Sequence, residues 1–122
     1  MNKIRVLLVD DNKMVREGLG QLLRWEPDIE VVGEASDGET ALELTRRMRP
    51  DVVTMDIHLP GMSGIAAIKA IHAEAPEVRV IALSIFEKED MADAVRAAGA
   101  VDYVTKNGPA AALLEAIRAA MH

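Results

Sequence analysis

Five side chains in this chain have types suited to phosphate chemistry: Asp10, Asp11, Asp56, Ser84 and Lys106. Each stands at or just beyond the end of a short apolar run. Brought together, the three aspartates would form a carboxylate pocket, and like charges that close raise one another's pKa unless a cation intervenes. An all-oxygen set with few protein ligands suits magnesium, which keeps part of its water shell and binds through one or two carboxylates plus phosphate. Lys106 is a point charge suited to a phosphate oxygen, and Ser84 is a hydroxyl donor. A carboxylate nucleophile, a hard cation, an ammonium and a hydroxyl together make a phosphoryl-transfer site, with Asp56 forming an acyl phosphate. Taken singly, each residue has an ordinary reading. An aspartate after a strand caps a turn, Asp11 before Asn12 especially; Ser84 is a loop hydroxyl and Lys106 a solvated lysine. Their joint placement on four strand ends carries the chemical reading.

The elements that must position them follow from the apolar pattern. Ile4 to Val9 is an apolar run ending in Asp10-Asp11. Val52 to Met55 ends in Asp56, and Pro60-Gly61 follows closely. Val78 to Leu83 ends in Ser84, and Val101 to Val104 is followed by Thr105-Lys106. These runs are short and rich in β-branched residues, so they read as buried strands. Ile29 to Ala35 supplies a fifth. Between them lie helical stripes: Asn12–Arg24 with Asn12 as N-cap, Gly38–Met48 after the Ser36-Asp37 turn, Gly64–Ala75 capped by Ser63, Lys88–Ala98 closed by Gly99, and Pro109–Met121. Trp25 to Asp28, Pro50 and Pro76 break the pattern. Met14, Met48 and Met91 are expected as core filling.

Five strands alternating with five helices make an α/β chain of (βα)5 type. Strands joined by helices run parallel with right-handed crossovers, and continuously apolar strands mean a sheet covered on both faces, a three-layer arrangement. In such open, doubly wound sheets ligands bind at the carboxyl ends of the strands, where the five residues stand.

The totals narrow the classes further. At 122 residues the chain is one domain with a real core. It has no cysteine, which excludes disulfides and thiolate metal sites. No run approaches the roughly 20 apolar residues of a membrane span, and the N-terminus lacks a signal-peptide pattern, so a cytoplasmic protein with no membrane partner is expected. Fourteen basic against 20 acidic residues give a net charge of −6, and only Trp25, Phe86 and Tyr103 are aromatic. Direct contact with nucleic acid by this segment is therefore not expected. His58 and His72 have no second histidine or cysteine at metal spacing and are expected at the surface.

The motifs Leu7-Leu8-Val9-Asp10-Asp11, Pro50-Asp51-Val52-Val53, Met55-Asp56-Ile57-His58-Leu59-Pro60-Gly61-Met62-Ser63-Gly64 and Ala82-Leu83-Ser84, with Gly99-Ala100 through Tyr103 to Lys106, run the length of the chain. Their order and spacing resemble the receiver domain of two-component response regulators, over residues 1–122. The resemblance implies a flavodoxin-like, five-stranded parallel sheet of order 2-1-3-4-5. It implies Asp56 as phosphoacceptor, magnesium (or manganese) held by Asp11, Asp56 and the backbone carbonyl of His58, and Asp10 acting through a metal-bound water. It further implies Lys106 pairing with the phosphoryl group, Ser84 turning inward to it, Tyr103 as a switch aromatic moving with Ser84, and positions 58 and 86 (His58, Phe86) tuning the phosphoryl lifetime.

Many receivers follow that lysine with proline, often in a cis peptide. Here Asn107 follows, which removes the expectation of a rigid cis turn. This ending, with the stretch from Trp25 to Ala35, resembles receivers of the NarL/LuxR type that carry a helix-turn-helix. The implied partners are a sensor histidine kinase, small-molecule phosphodonors, a phosphorylation-linked second copy, and DNA only through an output domain beyond His122. The implied role is a switch, not a turnover enzyme. Three other readings compete. An aspartate-nucleophile phosphatase of the haloacid dehalogenase kind wants a second aspartate at position 58, which is histidine. A flavodoxin-like FMN carrier wants a hydroxyl- and glycine-rich loop where two aspartates stand. A degenerate receiver acting only as a binding module is opposed by retention of all five residues.

Overall fold

In the computed structural model, which describes residues 3–85, 89–106 and 108–121, strands and helices alternate along the whole chain. The strands are β1 (Ile4–Val9), β2 (Ile29–Ala35), β3 (Val52–Asp56), β4 (Arg79–Ser84) and β5 (Asp102–Thr105). The helices are α1 (Lys13–Arg24), α2 (Gly38–Met48), α3 (Gly64–Glu74), α4 (Glu89–Ala98) and α5 (Ala110–Ala120). The strands form one parallel sheet of order β2-β1-β3-β4-β5, the expected (βα)5 flavodoxin-like fold.

The side-chain period of two divides the core. Val53 and Met55 of β3 join a cluster with Ala41 of α2, Ile68 and Ile71 of α3 and Val95 of α4. Val52 joins Leu8, Ile81, Leu83 and Val104 under Leu23 of α1 and Leu113 and Ile117 of α5. All five residues of β3 are buried, so this strand is covered on both faces, as a central parallel strand must be. Among the described residues no helix is long and apolar enough to cross a membrane.

Local chemistry sets the element ends. Asn12 caps α1, its side chain accepting from Val15 N–H at 3.2 Å. Asp37 caps α2 by accepting from Thr40 N–H at 2.7 Å, and Ser63 caps α3 by accepting from Ala66 N–H at 3.1 Å. Between Val6 and Leu7 the pairing of β1 with β2 shifts, and Val32 becomes the extra residue of a bulge. At the far end of the sheet from the carboxylates, Arg118 of α5 grips Asp28 through two hydrogen bonds of 2.9 Å and Glu26 through one of 2.6 Å. That fork ties α5 to the turn between α1 and β2.

Three expectations need correction. Met14 is 82% exposed and is not core filling. The buried stripe of α1 is carried by Gly20 and Leu23, while its first turn stands at the carboxyl edge of the sheet, where no layer covers it. β5 begins at Asp102, not Val101, which is 50% exposed; at the sheet edge a residue just ahead of the ladder has no covering helix. Pro109 is the N-cap of α5 (φ −61°, ψ 142°), not its first helical residue. The remaining bounds differ by a residue, α3 closing at Glu74 and β4 opening at Arg79. Lys88, expected to begin α4, lies outside the described residues.

Gly64, the first residue of α3, is wedged against the strand it follows. A Cβ there would meet the backbone oxygen of Asp56 at 2.3 Å and the Cα of Ile57 at 2.4 Å, so backbone must move to admit any side chain. Gly64→Ala is expected to destabilise the fold by about 1–3 kcal/mol, the usual cost of overpacking, measured by urea unfolding. An unchanged midpoint would show that the contact yields freely.

Candidate functional site

The site lies where β1, β3 and β5 end level with one another. Ile57 N–H continues the ladder to Leu83 C=O (3.1 Å), and Lys106 N–H continues it to Ser84 C=O (2.7 Å). These two bonds carry the chain just past β3 and β5 in register with β4. Asp10 is held by its own N–H donating to Ala35 C=O at 3.0 Å. The register Val9↔Met55, continued by one residue, sets Asp10 opposite Asp56.

Asp56 is 2% exposed. Its Oδ1 accepts from His58 N–H at 2.9 Å, and its Oδ2 lies 3.2 Å from the ammonium of Lys106. The same ammonium lies 2.6 Å from Oδ2 of Asp10. Asp10 is 1% exposed, and its Oδ1 accepts from Asn12 N–H at 2.9 Å. Its Oδ2 accepts no hydrogen bond; the 2.6 Å approach of Lys106 is a charge contact without hydrogen-bond alignment. Asp11 is exposed. It nevertheless offers a carboxylate oxygen that, with one each from Asp10 and Asp56, makes a trio within 4.8 Å of one another.

This donor set fits a hard divalent cation. Three carboxylates face one ammonium, which leaves negative charge uncompensated, and the buried Oδ2 of Asp10 has only that shared ammonium beside it. The three carboxylates, each offering an oxygen within 4.8 Å of the others, are the groups that would hold such a cation.

Burial pushes the Asp56 carboxyl above its ordinary value. The hydrogen bond from His58 N–H and the charge of Lys106 pull it back, while the Asp10 carboxylate pushes it further up.

The other residues singled out in the sequence fall around this centre. Ser84 is fully buried as the last residue of β4, not a loop hydroxyl. By strand alternation it faces the α3/α4 layer, as does Tyr103, which packs against that cluster. Ser84 pairs with Thr105, two residues beyond Tyr103. His58 is exposed, as expected. Phe86 and Asn107 lie outside the described residues. Sequence reasoning missed Arg16, one turn into α1, whose guanidinium donates to Asp10 C=O at 2.6 Å and reaches Glu34 at 3.3 Å. An arginine on an exposed-looking helix turn carries no local mark of that role.

An acidic trio, two of its members buried, and a lysine at the carboxyl edge of a doubly wound parallel sheet have the chemistry of an α/β domain that handles cations and phosphate. The response regulator receiver domain family matches residues 6–118, and the chain belongs to that family. It is 47% identical over 117 residues to the transcriptional regulatory protein LiaR of Bacillus subtilis, covering 96% of this chain and 56% of LiaR. It is 44% identical over 108 residues to a protein-glutamate methylesterase/protein-glutamine glutaminase of Nocardioides sp., covering 87% of this chain and 30% of that protein. The crystal structure of a LuxR-family two-component response regulator from Aurantimonas sp. superposes with a TM-score of 0.93 at 38% identity, covering 97% of this chain and 84% of that one. The chain spans about half the length of regulators such as LiaR. Membership sets aside the dehalogenase-type phosphatase and the FMN carrier.

The raised pKa has a stability consequence. A carboxyl whose folded pKa exceeds its unfolded value contributes stability that is complete below the unfolded pKa and is lost as pH rises through the folded one. Ionised Asp56 therefore opposes folding at neutral pH in the absence of a divalent cation. Asp56→Asn is expected to raise Tm at pH 7 without such a cation. That gain should shrink toward zero as pH falls through the carboxylate range; a Tm difference independent of pH would contradict the assigned cause.

Proposed function

We propose that this chain is a phosphorylation-operated switch whose phosphoacceptor is Asp56. The observation that carries the reading is the placement of Asp56: buried at the end of the central strand, 3.2 Å from the Lys106 ammonium and beside the carboxylates of Asp10 and Asp11. A carboxylate oxygen of Asp56 attacks phosphorus, and the bond to the donor breaks. The donor is the phosphohistidine nitrogen of a sensor histidine kinase or the leaving oxygen or nitrogen of a small phosphodonor. Magnesium, or manganese in its place, would be held by Asp11, Asp56 and the His58 carbonyl, with Asp10 acting through a water, and supplies positive charge at the phosphoryl oxygens.

The chain's own groups do the rest. Lys106 leaves its carboxylate partners for a phosphoryl oxygen, and Ser84 donates its hydroxyl. The added charge of about −1.5 to −2, by analogy with phosphorylated hydroxyls, draws both inward. Tyr103 then turns into the space beneath α4, which changes the surface of α4, β5 and α5. This is a shift between two states that exist without ligand. His58 and Phe86 set how readily water reaches the acyl phosphate. The domain performs no turnover of its own.

Its location is the cytoplasm, where kinase and phosphodonors are found. The output is transcriptional control, the role the name of the LiaR relative states for that protein, exerted on DNA through an output domain and accompanied by phosphorylation-linked pairing of two copies. The identity to the methylesterase supports a second output, ester hydrolysis governed by the same switch.

Incubation with magnesium and acetyl phosphate or phosphoramidate should add one phosphoryl group by intact mass, and Asp56→Asn should add none. Uptake by Asp56→Asn at a comparable rate would overturn the assignment. Asp11→Ala should weaken magnesium binding by more than about tenfold, the low end for merely disturbing a ligand's support. With beryllofluoride and magnesium, the resonances of Ser84 and Tyr103 should shift together; movement of Ser84 alone would refute the coupling.

A further inference from the structure

Arg16 of α1 has no part in the phosphoryl chemistry described above, yet its side chain is held inward. It is 17% exposed, while Lys13 and Glu17 on the same turn are 79% and 59% exposed. Its Nη1 donates to Asp10 C=O at 2.6 Å, and its Nε donates to Glu34 Oε1 at 3.3 Å. Glu34 stands on β2 beside Ala35, which packs into the cluster under α2, α3 and α4. By alternation Glu34 faces the α1 side of the sheet. Its second carboxylate oxygen accepts from Arg24 Nη2 at 3.4 Å. Two guanidiniums of one helix thus hold one carboxylate, and the first of them reaches on to the backbone of the acidic site.

The carbonyl it takes joins two unlike carboxylates. Asp10 is buried and fixed at other points: its N–H donates to Ala35 C=O, its Oδ1 accepts from Asn12 N–H, and its Oδ2 faces the Lys106 ammonium. Asp11 is exposed and lies between β1 and α1, in neither. No ladder or helix sets its orientation; the plane of the Asp10–Asp11 peptide does. That rigid plane turns about ψ of Asp10 and φ of Asp11. The second torsion swings the Asp11 carboxylate toward or away from those of Asp10 and Asp56, whose oxygens lie within 4.8 Å of its own. A charge-assisted hydrogen bond of 2.6 Å on the carbonyl opposes that turning. The residue type matters as well. A guanidinium presents its donors in a rigid fork, so one side chain holds the carbonyl and Glu34 at once; an ammonium is a point charge without that fork.

We propose that Arg16 is a positioning residue and Glu34 its anchor: together they lock the Asp10–Asp11 peptide, so that the exposed Asp11 carboxylate stays beside the two buried ones. Arg16 touches neither cation nor phosphoryl group and acts through the backbone. Its charge alone works the other way, because a positive group near the site repels a divalent cation. Removing Arg16 therefore has opposite signs on the two accounts. Magnesium binds more weakly when Arg16 positions Asp11, and more tightly when it is only a neighbouring charge. The consequence for magnesium rests on the receiver reading; the fixing of the peptide does not.

Two measurements on the whole chain test this. In the metal-free protein, backbone amide relaxation should show Asp11 and Asn12 rigid in the wild type and mobile in Arg16→Ala and Arg16→Lys, with β3 unchanged in all three. Rigid amides at Asp11 and Asn12 in both variants overturn the proposal whatever the protein does with phosphate. In calorimetric titration with magnesium, Arg16→Ala should weaken binding by roughly tenfold, as for loss of a ligand's support. Arg16→Lys, which keeps the charge and loses the fork, should weaken it in the same direction. Glu34→Ala should weaken it less, and Arg16→Ala combined with Glu34→Ala should match Arg16→Ala alone, because without the arginine the anchor holds nothing. Unchanged or tighter binding in Arg16→Ala overturns the positioning role, as do losses that multiply in the double variant. If the Asp11 amide loosens in Arg16→Ala and magnesium fails to bind even the wild type, the receiver reading fails and the peptide lock stands.

Discussion

Two buried carboxylates share one ammonium. Asp10 and Asp56 are each almost wholly removed from solvent, and Lys106 sits 2.6 Å and 3.2 Å from them. An isolated charge in an apolar interior is prohibitive, so this pairing decides what the rest of the sheet must do. β1 and β3 must be neighbours for the aspartates to meet. β5 is two strands away from β3, about 9.6 Å at 4.8 Å per strand. Lys106, the longest side chain of the site, crosses β4 to reach Asp56 and, one strand further on, Asp10. A serine could not reach from β5, and from β4 it need not. The order β2-β1-β3-β4-β5 thus matches side-chain length to strand distance.

The same pairing leaves the site unsettled. One ammonium does not neutralise three carboxylates, burial raises the Asp56 pKa, and Oδ2 of Asp10 has only the ammonium it shares with Asp56. The remainder of the fold opposes relaxation. β3 is clamped on both sides by ladders, Gly64 brings α3 against the backbone of Asp56, and Arg16 fixes the carbonyl of Asp10. A site held together against its own repulsion binds whatever removes that repulsion. On the function proposed above, this is the physical ground for cation binding, and for coupling cation and phosphoryl occupancy to conformation.

Much of this was legible in the sequence. The strands announced themselves as apolar runs because a parallel sheet covered on both faces leaves no polar side. The helix starts were marked by Asn12, Asp37 and Ser63, whose side chains satisfy backbone donors that nothing else can reach. The site residues were legible as types at strand ends, because a parallel sheet brings every carboxyl end to one edge. What could not be read depends on three-dimensional cover. Met14 obeys the apolar stripe of α1 yet stands past the edge of the sheet. Val101 looks like a strand residue but lies ahead of the edge ladder. Pro109 fits the first helical position by rule, and its ψ of 142° makes it the cap. Arg16 acquires meaning only once the chain has folded around Asp10.

Strand alternation gives the site two distinct sides. Ser84 and Tyr103 face the α3/α4 layer, whereas Asp10, Asp56, Thr54 and Lys106 belong to the layer beneath α1 and α5. A phosphoryl group on Asp56 would stand at the sheet edge where these layers meet. Attraction of Ser84 would be felt on one side, and withdrawal of Lys106 from Asp10 on the other. The carboxylate of Asp10, losing its counter-charge, would then need the cation more. One added group would therefore act on both helical layers through separate residues, with no need for the backbone between them to deform. A rigid sheet and a responsive surface would be compatible on this reading, the signal running through side chains at the end of the strands and not along them.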